Sequence, residues 1–388
     1  MLRFLTAGES HGPALTAILE GMPAGLPLME GDVDVQLQRR QKGFGSGGRM
    51  RIEQDRVRFS AGVLNGRTTG APIALEIENR DWANWRDKEI RPMTVPRPGH
   101  ADLTGAIKYG YRELRLALER ASARETAARV AAGALCQRLL AEFGIEVGSY
   151  VVQIGGVSAA LADGLSYPER FAIAEENEVR CPDPAGAEAM RARIREAMAA
   201  KDTLGGLFEV VALGLPPGLG THVHWERRLD ARLMMAVGSI QAVKGIEIGP
   251  AFENATKQGT EVHDEIFIED GLLTRRTNRA GGFEGGITTG QPAVIRAAMK
   301  PIATTLTPLR SADLASGEQA NTRYERSDTC AVPRAAVVGE AMVAFVLADA
   351  LLEKLGGDSL AEMQPRFHAL RRGTLEELEM DNVPWRFT

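Results

Sequence analysis

The chain has little of what builds a disulfide-knit, metal-clipped or membrane-spanning protein. Its three cysteines, Cys136, Cys181 and Cys330, are odd in number, far apart and without any C-x-x-C spacing. That excludes a disulfide framework and a zinc finger and leaves buried thiols as the expectation. No run of 18 apolar residues occurs, and the opening MLRFLTAGESHG lacks the apolar stretch of a secretory signal, so a cytoplasmic protein without membrane contact is expected. Excess positive charge is missing too. A net charge of −5 argues against a protein that coats nucleic acid. No Pro- or Ser-rich linker divides the sequence, so residues 1–388 are expected to form one continuous domain.

What is present is an average soluble composition, 44% apolar and 25% charged, over 388 residues, enough for a sizeable core. The 42 glycines point to many special turns or close backbone approaches. Arg39, Arg40, Lys42, Arg49 and Arg51 crowd one glycine-rich stretch, RRQKGFGSGGRMR, with no acid among them. In an acidic protein such an island suits a small anionic ligand better than a long polymer.

Alternation in APIALEIE puts Ile73, Leu75 and Ile77 on one strand face, and MRIEQDRVRF reads as a hairpin turning near Gln54 and Asp55. Two Ala-rich stretches carry helical spacing. One runs from Arg112 to Phe143 and stops at Gly144, and the other runs from Pro333 to Leu355 and stops at Gly356. Further helices are expected near 32–41, 186–200 and 227–238. Gly21-Met-Pro-Ala-Gly-Leu26 resembles Gly214-Leu-Pro-Pro-Gly-Leu219, and each precedes a charged helix candidate. Two similar halves, roughly 1–200 and 201–388, follow from that repeat.

GESHG, Gly8 to Gly12, matches the G-x-S-x-G nucleophile elbow, but only seven residues precede it, too few for the earlier strand and oxyanion loop. Neighbours such as Ser10 and His11 would also point apart on a strand. GFGSGG fits a dinucleotide fingerprint in letters, yet it follows a helix-like segment rather than a strand. His222 and His224 share a strand face in THVHW, but two histidines alone do not make a ligand set, so no metal site is expected. RPGHAD, SARE, KPIAT and RSDTC add Arg97, His100, Asp102, Arg120, Arg124, Lys300 and Asp328 around turns and helix ends. Each has a plain alternative: Arg120 and Arg124 as partners of Glu119 or Glu125, Asp328 as a helix cap. Two histidines, many arginines, a lysine and an aspartate suit acid–base chemistry on a multiply anionic substrate. A serine hydrolase using Ser10 and a non-catalytic anion- or nucleotide-binding protein are the competing readings.

Taken in order over essentially the whole chain, GESHG, RRQ-x-G-F-G-x-GGRM, RPGHAD, ERxSARET, TRRTN with GGFEGG, KPI-x-T and ERSD resemble the chorismate synthase family. The resemblance implies an α+β fold, a β-α-β layered sandwich with internal duplication, assembled as a homotetramer. It implies conversion of 5-enolpyruvylshikimate-3-phosphate to chorismate and phosphate with reduced FMN (FMNH2) required, the last step of the shikimate pathway. By that likeness His11 protonates the departing phosphate, His100 lies against the flavin's pyrimidine ring, and Asp328 stands near flavin N5. Ser10, Arg40, Arg49, Arg97 and Arg326 would hold substrate, since bidentate arginines suit carboxylate and phosphate. Arg120, Ala121, Ser122, Gln241, Ala242, Gly285, Lys300, Pro301, Ile302, Ala303, Thr304 and Arg326 would hold FMN. The chain departs from the pattern at Ser46, where many relatives have arginine, and at Gln241 and Ala121, where Asn and Ser are common. Family members with their own NADPH-dependent flavin reductase activity generally have longer chains, so this one is expected to take up flavin already reduced.

Overall fold

The structure is a computed structural model and describes residues 1–46, 52–162, 164–325 and 327–387. Two antiparallel sheets enclose a layer of helices. The first sheet has the order β1 (Arg3–Ala7), β2 (Ala14–Glu20), β4 (Ile73–Glu78), β3 (Val57–Ala61). The second runs β8 (Val243–Ile248), β9 (Ala293–Met299), β7 (Gly206–Leu213), β5 (Glu146–Ile154), β6 (Val157–Ser158). Between them lie α1 (Glu30–Gln41), α4 (Thr126–Ala141), α7 (Leu229–Gly238) and α8 (Val332–Leu355). α4 packs on β2 and β4, and α8 packs on β5 and β7. This is the α+β layered sandwich expected.

Alternation decides the sheets: Ile73, Leu75 and Ile77 of β4 are buried, as expected, against the helix layer. The central helices show no such one-sidedness. α8 is buried on nearly every side, and α4 and α8 touch where Gly133 meets Ala341. A Cβ added at Gly133 would lie 2.4 Å from that of Ala341, so the crossing depends on the missing side chain. Pro333 and Gly356 bound α8 as the sequence indicates. The three cysteines are free and buried. α6 (Pro184–Ala199) also forms near its expected place.

The two similar turns share a hydrogen-bond pattern. Thr68 Oγ donates to Pro23 O (2.6 Å) and accepts from Leu26 N (3.0 Å). Thr288 Oγ donates to Pro216 O (2.7 Å) and accepts from Leu219 N (2.9 Å). In both turns the two glycines, 21 and 25 or 214 and 218, have positive φ.

Two expectations need correction. The 112–143 helix is three pieces: α3 (Arg115–Ala121), a 3₁₀ turn (Ala123–Glu125) and α4. Ser122 leaves helical geometry and its side chain accepts from Arg124 N, an N-cap inside the run. Among the described residues of MRIEQDRVRF no hairpin forms. Within its described part only Val57–Phe59 are strand residues, of β3, which pairs with β4. Gln41 instead holds the preceding segment, its amide donating to Glu53 O and its carbonyl accepting from Asp55 N.

Candidate active site

GESHG forms the loop joining β1 to β2, and no helix follows it, which removes the nucleophile-elbow reading. Gly8 has φ +107°, and a Cβ there would sit 2.4 Å from Ala14 O. Ser10 is 2% exposed; its N–H donates to Glu119 O, and Ser122 Oγ donates to its hydroxyl (3.1 Å each). His11 is gripped by α3. Glu119 takes the His11 backbone N–H on Oε2 (2.7 Å) and pairs with ring Nδ1 through Oε1 (2.8 Å). Burial alone would raise Glu119's pKa, but these bonds and the charges of His11 and Arg115 hold it below the usual range. Trp85 covers the imidazole with ring centroids 4.1 Å apart.

RPGHAD turns at Gly99 (φ +78°) and leads into α2 (Asp102–Tyr109). Asp102, fully buried, accepts from Arg97 Nε (2.8 Å) and Nη2 (2.9 Å) and pairs with His100 Nδ1 (2.6 Å). Burial works against its ionisation, yet the His100 and Arg97 contacts hold it far below the ordinary carboxylate range. Arg97 also donates to Thr304 Oγ (3.0 Å), tying this loop to KPIAT.

A third wall is cationic. Buried Arg40 and Arg124 share Asp55: Arg40 Nη2 reaches it at 2.7 Å, and Arg124 Nη1 reaches both oxygens at 2.7 and 2.8 Å. Burial again opposes the Asp55 charge, and the two guanidiniums outweigh it. Arg334, in the first turn of α8, pairs with Asp328 (2.5 Å). Asp328 is therefore not the cap, a place held by Ala331. Arg120 and Arg124 also diverge from the surface-pair alternative, since Arg120 donates to Thr6 O and Oγ (2.8 and 2.7 Å).

These walls enclose one cavity of about 520 Å³. It gathers Ser10, His11, Arg40, Arg97, His100 and Asp328 of the expected catalytic and substrate residues, and Ala121, Ser122, Gln241, Ala242, Lys300, Ile302, Ala303 and Thr304 of the expected flavin residues. Arg120, Pro301 and Gly285 do not line it; Gly285 is at a hairpin turn beside His222. Arg49 and Arg326 lie outside the described residues. Burial first, then Lys244 nearby, lowers the pKa of Lys300. His222 and His224 lie in a loop and not on a strand as expected, and no cluster of three metal-ligating side chains exists among the described residues.

Sequence reasoning missed Arg334, Lys244, Trp85 and Glu119 and left Arg124 unassigned to a role. The signal for Arg124 was the serine that breaks the helix before it. For Trp85 and Glu119 no local pattern existed, because both act on a loop about 75 or 110 residues away.

Four buried arginines, two carboxylate-held histidines and a partly apolar cavity in an α+β layered sandwich define an enzyme for anionic small molecules. The chain belongs to the chorismate synthase family, whose model, described as "Chorismate synthase", matches residues 2–352. A chorismate synthase of Aquifex aeolicus is 54% identical over 383 residues, 94% of this chain and 96% of its own. That of Chlorobaculum tepidum is 53% identical over 390 residues, 96% and 98% of the two chains. A solved structure titled "Crystal Structure of Chorismate Synthase" superposes with TM-score 0.78 at 47% identity, covering 95% and 96%. The chain is thus a lyase of aromatic amino-acid biosynthesis.

Proposed function

We propose that this cavity converts 5-enolpyruvylshikimate-3-phosphate to chorismate by anti-1,4-elimination of phosphate, with reduced FMN bound beside the substrate. The observation carrying this reading is the pair of histidines, each held at Nδ1 by a carboxylate, in one cavity with buried Arg40, Arg97 and Arg124. A substrate with two carboxylates and a phosphate needs such a cationic cradle.

The remaining wall suits a flavin. Leu118, Ile240, Met299 and Val338 offer apolar surface for a planar ring system, and buried Gln241 Oε1 has no hydrogen-bond partner. Ala121, Ser122, Gln241, Ala242 and Lys300 to Thr304 would hold the cofactor there, with Arg120, Gly285 and Arg326 more remote or outside the described residues. When bound, reduced flavin supplies electron density to the electron-poor carbon left by phosphate and accepts hydrogen from substrate. His11 donates a proton from Nε2 to the leaving phosphate oxygen, while Ser10 hydrogen-bonds the same group. His100, its Nδ1 engaged by Asp102, keeps Nε2 for the flavin's pyrimidine edge. Asp328 serves as proton acceptor, oriented by Arg334. Arg40, Arg49, Arg97 and Arg326 fix the substrate's anionic groups.

The enzyme is proposed to work as a cytoplasmic homotetramer without nucleic-acid or membrane partners, using flavin reduced elsewhere. Anaerobic assay with chemically reduced FMN should give phosphate and chorismate in equal amounts, and absence of turnover would reject the reading. Labelling of Ser10 by a fluorophosphonate would favour the hydrolase instead. Purified protein with FMN should not oxidise NADPH.

A further inference from the structure

The proton donor assigned above needs two things that His11 cannot supply alone: a fixed ring orientation, and an Nδ1 engaged by the protein so that Nε2 faces the phosphate. The structure provides both through one side chain. Glu119 uses one oxygen on the His11 ring Nδ1 (2.8 Å) and the other on the His11 backbone N–H (2.7 Å), so ring and main chain are held as a unit. α3 fixes the carboxylate further, because Glu119's own carbonyl accepts the Ser10 N–H (3.1 Å).

We propose that Glu119 is the positioning residue of His11, committing Nδ1 to the protein and presenting Nε2 to the substrate. The inference rests on the His11 role proposed above. Other groups around the pair act in known directions. Arg115, 3.9 Å from Glu119 Oε1 and 3.8 Å from Glu325, offsets part of the carboxylate's effect. Trp85 stacks on the ring and is itself contacted by Arg115 and Lys88, while Glu9 and Ser10 flank His11 in its own loop. Glu119 is the one of these acids that touches the imidazole.

A Glu119→Gln change keeps size and removes charge, so it tests the carboxylate itself. Ligand-free protein labelled with ¹⁵N-histidine has six histidines, and the His11 signal is identified by its loss in His11→Gln. In Glu119→Gln the His11 ring signals should lose the single pattern of an imidazole held to a carboxylate at Nδ1. In turnover, kcat should drop about tenfold while KM changes less than about threefold. Glu119→Asp, which keeps the carboxylate but shortens its reach, should restore kcat only in part. His11 ring signals and a kcat both unchanged in Glu119→Gln would overturn the inference. Failure of wild-type turnover would instead overturn the proposed reaction, since the ring signals are measured without substrate or flavin.

Discussion

His11 and His100 come from loops about 90 residues apart, yet each gives Nδ1 to a buried or half-buried carboxylate and leaves Nε2 for a ligand. That shared geometry makes the single-residue predictions definite. His11→Ala or His100→Ala should each cost roughly 10²- to 10⁴-fold in kcat, the usual worth of one placed acid or base. Near-wild-type turnover in both would remove the acid–base assignment. Ser10→Ala should be far milder, because the Ser10 hydroxyl only bonds and does not attack. Asp328→Asn should slow turnover without weakening substrate binding, read as kcat against KM. At this scale the sequence was legible wherever a motif holds its own partner, as in RPGHAD with Arg97, His100 and Asp102 within six residues. It was not legible where the partner arrives from another element. Glu119 sat in plain view inside ERxSARET, but only the fold turns it toward His11.

Elements meet in this molecule through small residues and buried charge. Gly133 lies within α4 against Ala341 of α8, and two effects compete there. Gly→Ala in a helix normally gains up to about 1 kcal/mol. A Cβ only 2.4 Å from another costs about 1–3 kcal/mol as overpacking. Gly133→Ala should therefore lower the stability measured by denaturant unfolding, and a gain would mean the helices can separate freely.

The same layer contains an ionic junction. Fully buried Glu340 of α8 binds Arg39 of α1 and Arg180, and both arginines also hold Glu175 at the end of α5 (Tyr167–Glu175). Burial raises Glu175's pKa, but the Arg39 hydrogen bond and the Arg180 charge prevail and bring it from 4.5 to about 2. A folded-state value below the unfolded one stabilises the fold above pH 4.5, and that contribution is lost as pH falls toward 2. Wild type should melt above Glu175→Gln at pH 7, and the gap should close across that window; a gap independent of pH would refute the linkage. Element types were legible from periodicity, as β4 and α8 illustrate. The stretch MRIEQDRVRF was misread as a hairpin turning near Gln54 and Asp55 because its alternation serves to bury Glu53 and Asp55 beside Arg124, not to face a sheet.

For the whole molecule, the turns at Gly21 and Gly214 share one hydrogen-bond pattern through Thr68 and Thr288, so the six similar residues mark two turns built alike. The two sheets are not alike on the outside. The second sheet's outer face is covered by α5, with Phe171 and Tyr167 packed on Tyr150, Val211 and Val294. The first sheet instead leaves Leu5 57% and Ile18 43% exposed, directly opposite each other across β1 and β2. Neighbouring apolar side chains on an open sheet face favour burial against another surface, and a second copy offers the same face by two-fold symmetry. With the homotetramer proposed above, light scattering should give about four times the 41.9 kDa chain mass. Leu5→Glu combined with Ile18→Glu should lower that mass while leaving the helix layer folded, because neither side chain points inward. A wild-type mass of one chain would refute the tetramer. A tetramer untouched by both changes would move its contacts away from this face.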